Sequence, residues 1–177
     1  MLALLVFVPA PGRAELRIRD LDVFVNDRDL TVHVALLDAL PPGLHDAVQT
    51  GVPAHVRFTV EVWQYNRLWP DRLVSTKVVE RAVDYNVVTK EYRIAAVRGE
   101  PGPAYTTRDV HDARRVLSEV RSLKLLPAAH LPSAEVFYVR VRAETALRGD
   151  NTLVTRLAGT AEQTLRQSDY RTVPRVD

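Results

Sequence analysis

An antiparallel two-layer β-sandwich, immunoglobulin-like in appearance and carrying one inserted amphipathic helix, is the mainly β fold that this sequence predicts. Three observations lead to it. Apolar residues recur at every second position, most clearly where Val56, Phe58, Val60 and Val62 alternate with Arg57, Thr59, Glu61 and Trp63. Turn-forming clusters punctuate these runs, among them Asn26-Asp27-Arg28-Asp29, Pro41-Pro42-Gly43 and Arg98 to Pro103. Convincing helical spacing occurs once, from Val110 to Leu123. An α+β sheet with the helix across one face is the alternative architecture.

Taken in order, Leu16 and Ile18 alternate with charged neighbours before the phase slips to Leu21, Val23 and Val25, which places a bulge near Asp20. Leu30, Val32, Val34 and Leu36 form the returning strand of a hairpin. Leu44 to Thr50 predicts a short helix stopped by Gly51, with Ala47 and Val48 inward. The strand around Val56 to Val62 pairs with Leu73 to Asn86, whose valines change phase between Val78 and Val79 and so imply a second bulge. Tyr92, Ile94 and Ala96 follow a turn at residues 87–90.

Next comes the helix. Thr106 and Asp109 suit a capping box, and Val110, Ala113, Val116, Leu117, Val120 and Leu123 form one stripe that Pro127 ends. Phe137, Val139, Val141, Ala143 and Leu147 then point inward, with Tyr138, Arg140, Arg142 and Glu144 outward. Leu153 to Leu157 is a candidate last strand, and Ala161 to Arg166 fits helix or strand.

The chain's first residues predict its compartment. Leu2 to Val8 is an unbroken apolar run, too short to span a bilayer, followed by Pro9, Pro11 and the small residues of a cleavage region. Residues 1–14 are therefore expected to be a secretory signal peptide, although no charged n-region precedes the run; a first core strand is the competing reading. Residues 15–171 are expected to form one domain and 172–177 a frayed tail. A periplasmic or secreted protein without a transmembrane span follows.

Composition narrows the function classes. A hydrophobic content of 46% is globular, and a net charge of +2 with interleaved signs offers no stripe to follow a phosphate backbone, so no nucleic-acid partner is expected. The absence of cysteine removes thiolate metal sites, iron–sulfur clusters and cysteine nucleophiles. The histidines, His33, His45, His55, His111 and His130, have no metal-ligand spacing, and no serine lies in Gly-x-Ser-x-Gly. No catalytic constellation, metal or cofactor is expected.

Two surface features remain. Trp63, Tyr65 and Trp69 lie at the end of the long strand and in its loop; they either display an aromatic rim to a partner or stack across strands to hold the hairpin. The outward arginines Arg17, Arg19, Arg57, Arg93, Arg140 and Arg142 either bind anionic lipid or pair with Glu61, Glu80, Glu91 and Glu144, the latter being the commoner arrangement.

The order Gly51-Val52-Pro53, Phe58 to Trp63, Trp69, Tyr85 to Arg93, the helix Thr107 to Leu123, Leu131-Pro132 and the arginine-bearing strand Tyr138 to Ala143 resembles a bacterial family, domain of unknown function 4390. The resemblance covers Gly51 to about Leu147 and implies a secreted β-rich protein without an assigned activity. After Arg148 the chain departs from the family's tryptophan-bearing final segment. The function expected is an extracytoplasmic binding or accessory module that engages a protein partner by an aromatic rim or a sheet edge. The alternative is a periplasmic lipid- or small-ligand-binding protein, or a hydrolase, with its pocket between the sheets.

Overall fold

The computed structural model describes residues 16–148, 161–169 and 171–172. The expected signal peptide, the candidate strand Leu153 to Leu157 and residues 173–177 lie outside the described residues. Among those described, the strands are β1 (Arg17–Asn26), β2 (Asp29–Leu37), β3 (Ala54–Gln64), β4 (Arg72–Asn86), β5 (Glu91–Arg98), β6 (Tyr105–Thr107), β7 (Glu119–Pro127), β8 (Val136–Leu147), β9 (Ala161–Gln167) and β10 (Arg171–Thr172). Helices α1 (Pro42–Gln49) and α2 (Val110–Ser118) interrupt them, with a 3-10 turn at Ala128–His130.

Two antiparallel sheets result. One has the order β1-β2-β7; the other has the order β10-β8-β3-β4-β5-β6, with β9 also on β8. The mainly β, two-sheet fold read from alternation is the one observed. Its core is built as that alternation requires: Val56, Phe58, Val60 and Val62 are fully buried and meet Val79, Val83, Val139 and Val141 of the neighbouring strands. Val32, Val34, Leu44, Val48, Leu117 and Val120 close the same cluster from the smaller sheet and the helices. Burying a side chain of this size contributes roughly 1.5–3 kcal/mol, so the centre of β3 is the main anchor of the fold.

The sheets are linked at one side. Arg166 of β9 donates to the carbonyl oxygens of Ile18 (3.1 Å) and Arg19 on β1, and Leu16 donates its amide to Glu162 at 2.6 Å. The slip near Asp20 falls at Arg19, which has no counterpart between Leu36 and Ala35.

Several expectations are corrected. The helix ends at Ser118, and residues 119–127 are strand β7 on the edge of β2. Val120, Leu123 and Leu126 oppose Val34, Val32 and Leu30, so β7 uses three residues for every two of β2. Two bulges cause this, one of them at Ser122 with φ +52°. A doubly bulged strand repeats its apolar residues at helical spacing, which is why the stripe read as one helix. Arg81 helps to end α2, donating to the carbonyl oxygens of Val116 and Glu119 (the latter at 2.7 Å). At the other end Asp109 itself is the cap, accepting from the amide of His111 at 2.8 Å.

The second bulge in β4 lies at Val74, between the pairs Trp63–Leu73 and Val62–Ser75. No slip occurs between Val78 and Val79, because Val78 belongs to the outer face beside Thr59. Tyr138 lies on the outer face as expected, but it is covered there and only 3% exposed. In α1, Leu44 and Val48 are the buried pair, while Ala47 is half-buried.

Candidate functional site

The outer face of the larger sheet is a set of cross-strand rows. Arg57 of β3 stands opposite Glu80 of β4 and Glu144 of β8 and bonds both, at 2.9 and 3.1 Å. The hydrogen bond to Glu80 is the chief reason its pKa is raised. This row is the cross-strand ion pairing that interleaved charges predict. Arg140 is placed differently. Its guanidinium lies 4.8 Å from the Trp63 ring centroid and donates to the Tyr138 hydroxyl at 3.3 Å.

The last row of this face supports a loop. Trp63 of β3 opposes Tyr138 of β8, their rings stacked with centroids 6.5 Å apart. The Trp63 indole N–H is held by Glu61 at 2.8 Å. Above this platform residues 65–71 connect β3 to β4. Asp71 closes the loop, accepting from the amide of Asn66 at 3.0 Å and the hydroxyl of Tyr138 at 2.8 Å. Those two donors, backbone first, and then the nearby charge of Arg140 lower the pKa of its carboxyl. The neck is tied twice more: Tyr65 donates its amide to Val136 at 2.8 Å, and Arg72 donates to Gln64 Oε1 at 2.9 Å.

What this closed loop displays is apolar. Leu68 is 86% exposed and Trp69 76%, with Tyr65 and Leu73 less exposed around them. The three aromatics named from sequence therefore separate. Trp63 belongs to the supporting stack, Tyr65 stands at the neck and Trp69 at the tip. Leu68 is the contributor that sequence reading missed; the signal available was its place between Arg67 and Trp69 in a loop rather than on a strand.

The remaining candidates lie elsewhere. A cleft of about 360 Å³ opens beside α2, with Arg81, Glu100, Glu119 and Arg121 in its lining. These groups pair with one another, Arg81 with Glu100 at 2.5 Å and Arg121 with Glu119 at 2.5 Å. His111 is exposed on α2, and among the described residues no group of His, Asp or Glu gathers to hold a metal ion. His45 and His55 both have lowered pKa values, chiefly through burial; the Arg114 charge adds to the effect at His45. His45 Nε2 sits 2.9 Å from the Tyr92 hydroxyl, which also accepts from Gln49 at 3.2 Å. No helix among the described residues is long and apolar enough to cross a membrane.

No curated protein and no solved structure matches the chain. The family described as Domain of unknown function (DUF4390) matches residues 13–148, extending the likeness seen from Gly51 onward back through the first hairpin and α1. The chain belongs to the DUF4390 family.

Proposed function

We propose that this protein is a non-enzymatic, extracytoplasmic binding or accessory module whose 65–71 loop engages a protein partner. One observation carries the reading: Leu68 and Trp69 are exposed side by side on a loop whose neck is closed by Asp71, Tyr138, Val136 and Gln64. Large apolar side chains held in water on an ordered support mark interaction surfaces, and tryptophan is the residue type most enriched among binding hot spots. Pre-organisation lowers the entropy lost on binding. The extracytoplasmic assignment rests on the Leu2 to Val8 run and the cleavage region after it.

The competing reading, a ligand-binding protein or hydrolase, draws on the cleft beside α2. Its charged groups are already neutralised by one another, which disfavours a polar substrate there. The two readings separate in a pull-down from periplasm combined with analysis of co-purified small molecules. The binding reading expects Trp69→Ala to lose a partner that the unaltered chain retains, with the same melting temperature. Retention of that partner by Trp69→Ala would contradict it.

A further inference from the structure

A second cleft lies near the start of β3, at the opposite end of that strand from the 65–71 loop. It measures about 250 Å³, and its lining includes Arg19 of β1, Asp38 after β2, and His111, Arg114, Arg115 and Ser118 of α2. Arg114 is the unexplained group. Its Nε is sealed in the protein, whereas its terminal N–H groups keep contact with solvent, and among the described residues no hydrogen bond or ion pair reaches them. The terminal N–H groups of an arginine fork are shaped to give two parallel bonds to one oxyanion.

The nearby carboxylates do not satisfy it. Asp20 is held by Arg19 at 2.6 Å, Asp112 by Arg115 and Tyr105, and Glu119 by Arg121 at 2.9 Å. Asp38 lines the same cleft, exposed and with φ +54°, yet makes no ion pair with Arg114. Arg19 and Arg115 each commit part of a five-donor group to their carboxylates, leaving further N–H groups for a ligand. Arg19, Arg114 and Arg115 thus bring N–H donors from two elements to a space larger than one carboxylate needs, which Asp38 and the arginine-bound Glu119 also border.

We propose that this cleft binds a small phosphate-type oxyanion, with the terminal N–H groups of Arg114 supplying the principal pair and Arg19 and Arg115 adding further N–H donors around it. The ligand is either free inorganic phosphate or a phosphate monoester headgroup, and the site is independent of the 65–71 loop.

The test is a calorimetric titration of the full chain with inorganic phosphate, at constant ionic strength set with chloride. Saturable one-site binding is expected, weakened at least tenfold in Arg114→Ala. Asp38→Asn, which removes the opposing charge and suits a left-handed position, should bind several-fold tighter. Ser118→Glu, which adds a carboxylate at the cleft, should abolish binding. These last two variants keep the test decisive if Arg114→Ala does not fold. Vesicles containing phosphatidic acid separate the sources: co-sedimentation displaced by free phosphate assigns the headgroup, and phosphate binding without co-sedimentation assigns the free anion. Heat that fails to saturate, or affinity unchanged in both Arg114→Ala and Asp38→Asn, would overturn the proposal.

Discussion

The Trp63 indole and the Tyr138 ring lie nearly parallel, 7° apart, on adjacent strands, and Tyr138 also donates its hydroxyl to Asp71 in the loop above. One stacked pair therefore joins the sheet's outer face to the neck of the loop. Trp63→Ala removes the stack, the Arg140 contact and the bond to Glu61 together. We expect a loss of about 1–3 kcal/mol in urea denaturation. Trp69→Ala, by contrast, should change stability by less than about 0.5 kcal/mol.

Asp71 should control the order of the tip rather than the fold. Asp71→Ala leaves the Asn66 amide and the Tyr138 hydroxyl without their acceptor. In a Trp63→Phe background, where Trp69 is the sole tryptophan, the substitution should lower fluorescence anisotropy at position 69 with little change in melting temperature. Acid should have the same effect. The folded pKa of Asp71 is depressed, so its contribution is complete above the ordinary value of 3.8 and is lost as pH falls through the lower, folded value.

Gly99 has φ +83°, and a Cβ there would lie 2.2 Å from the Val78 carbonyl oxygen. That neighbour is backbone in the middle of β4 and cannot move aside cheaply. Gly99→Ala should cost about 2 kcal/mol or more, measured as a lower urea midpoint with an unchanged m-value.

Protonation of His45 and His55 links stability to mild acid. Both have folded pKa values below the ordinary 6.5. Above that pH both states are neutral; as pH falls through about 6.5 the unfolded chain takes up protons first, so stability is lost until the folded groups protonate as well. Thermal melts between pH 7.5 and 5.5 should therefore show a falling midpoint, with a shallower slope in the double variant His45→Gln, His55→Gln.

Where one face of a strand is dry and the other wet, the sequence states its own structure. The β3 alternation, the first hairpin with its slip at Arg19, and the row Glu80–Arg57–Glu144 are legible for that reason. Legibility fails where spacing is ambiguous. Val116, Val120 and Leu123 satisfy a helical period, yet Val120 and Leu123 lie in a strand whose two bulges depend on pairing with Val34, Val32 and Leu30. Tyr138 is polar-tipped and sits among outward arginines, so its burial under Asp71 and Arg140 has no local signature. The aromatics at the loop were visible as a group. Their division into a support, Trp63, and a tip, Trp69, depends on the β3–β8 register and the closure by Asp71.

The central claim is that the Leu68–Trp69 tip is the binding element. The most direct test places a photo-crosslinking amino acid at position 69 in intact cells, with the same probe at position 88 as control. Val88 is 85% exposed in the β4–β5 turn and matches Trp69 in accessibility without belonging to the loop. A discrete adduct of one mass from position 69, absent from position 88, is the result predicted. No adduct from position 69, or the same adducts from both positions, would contradict the account.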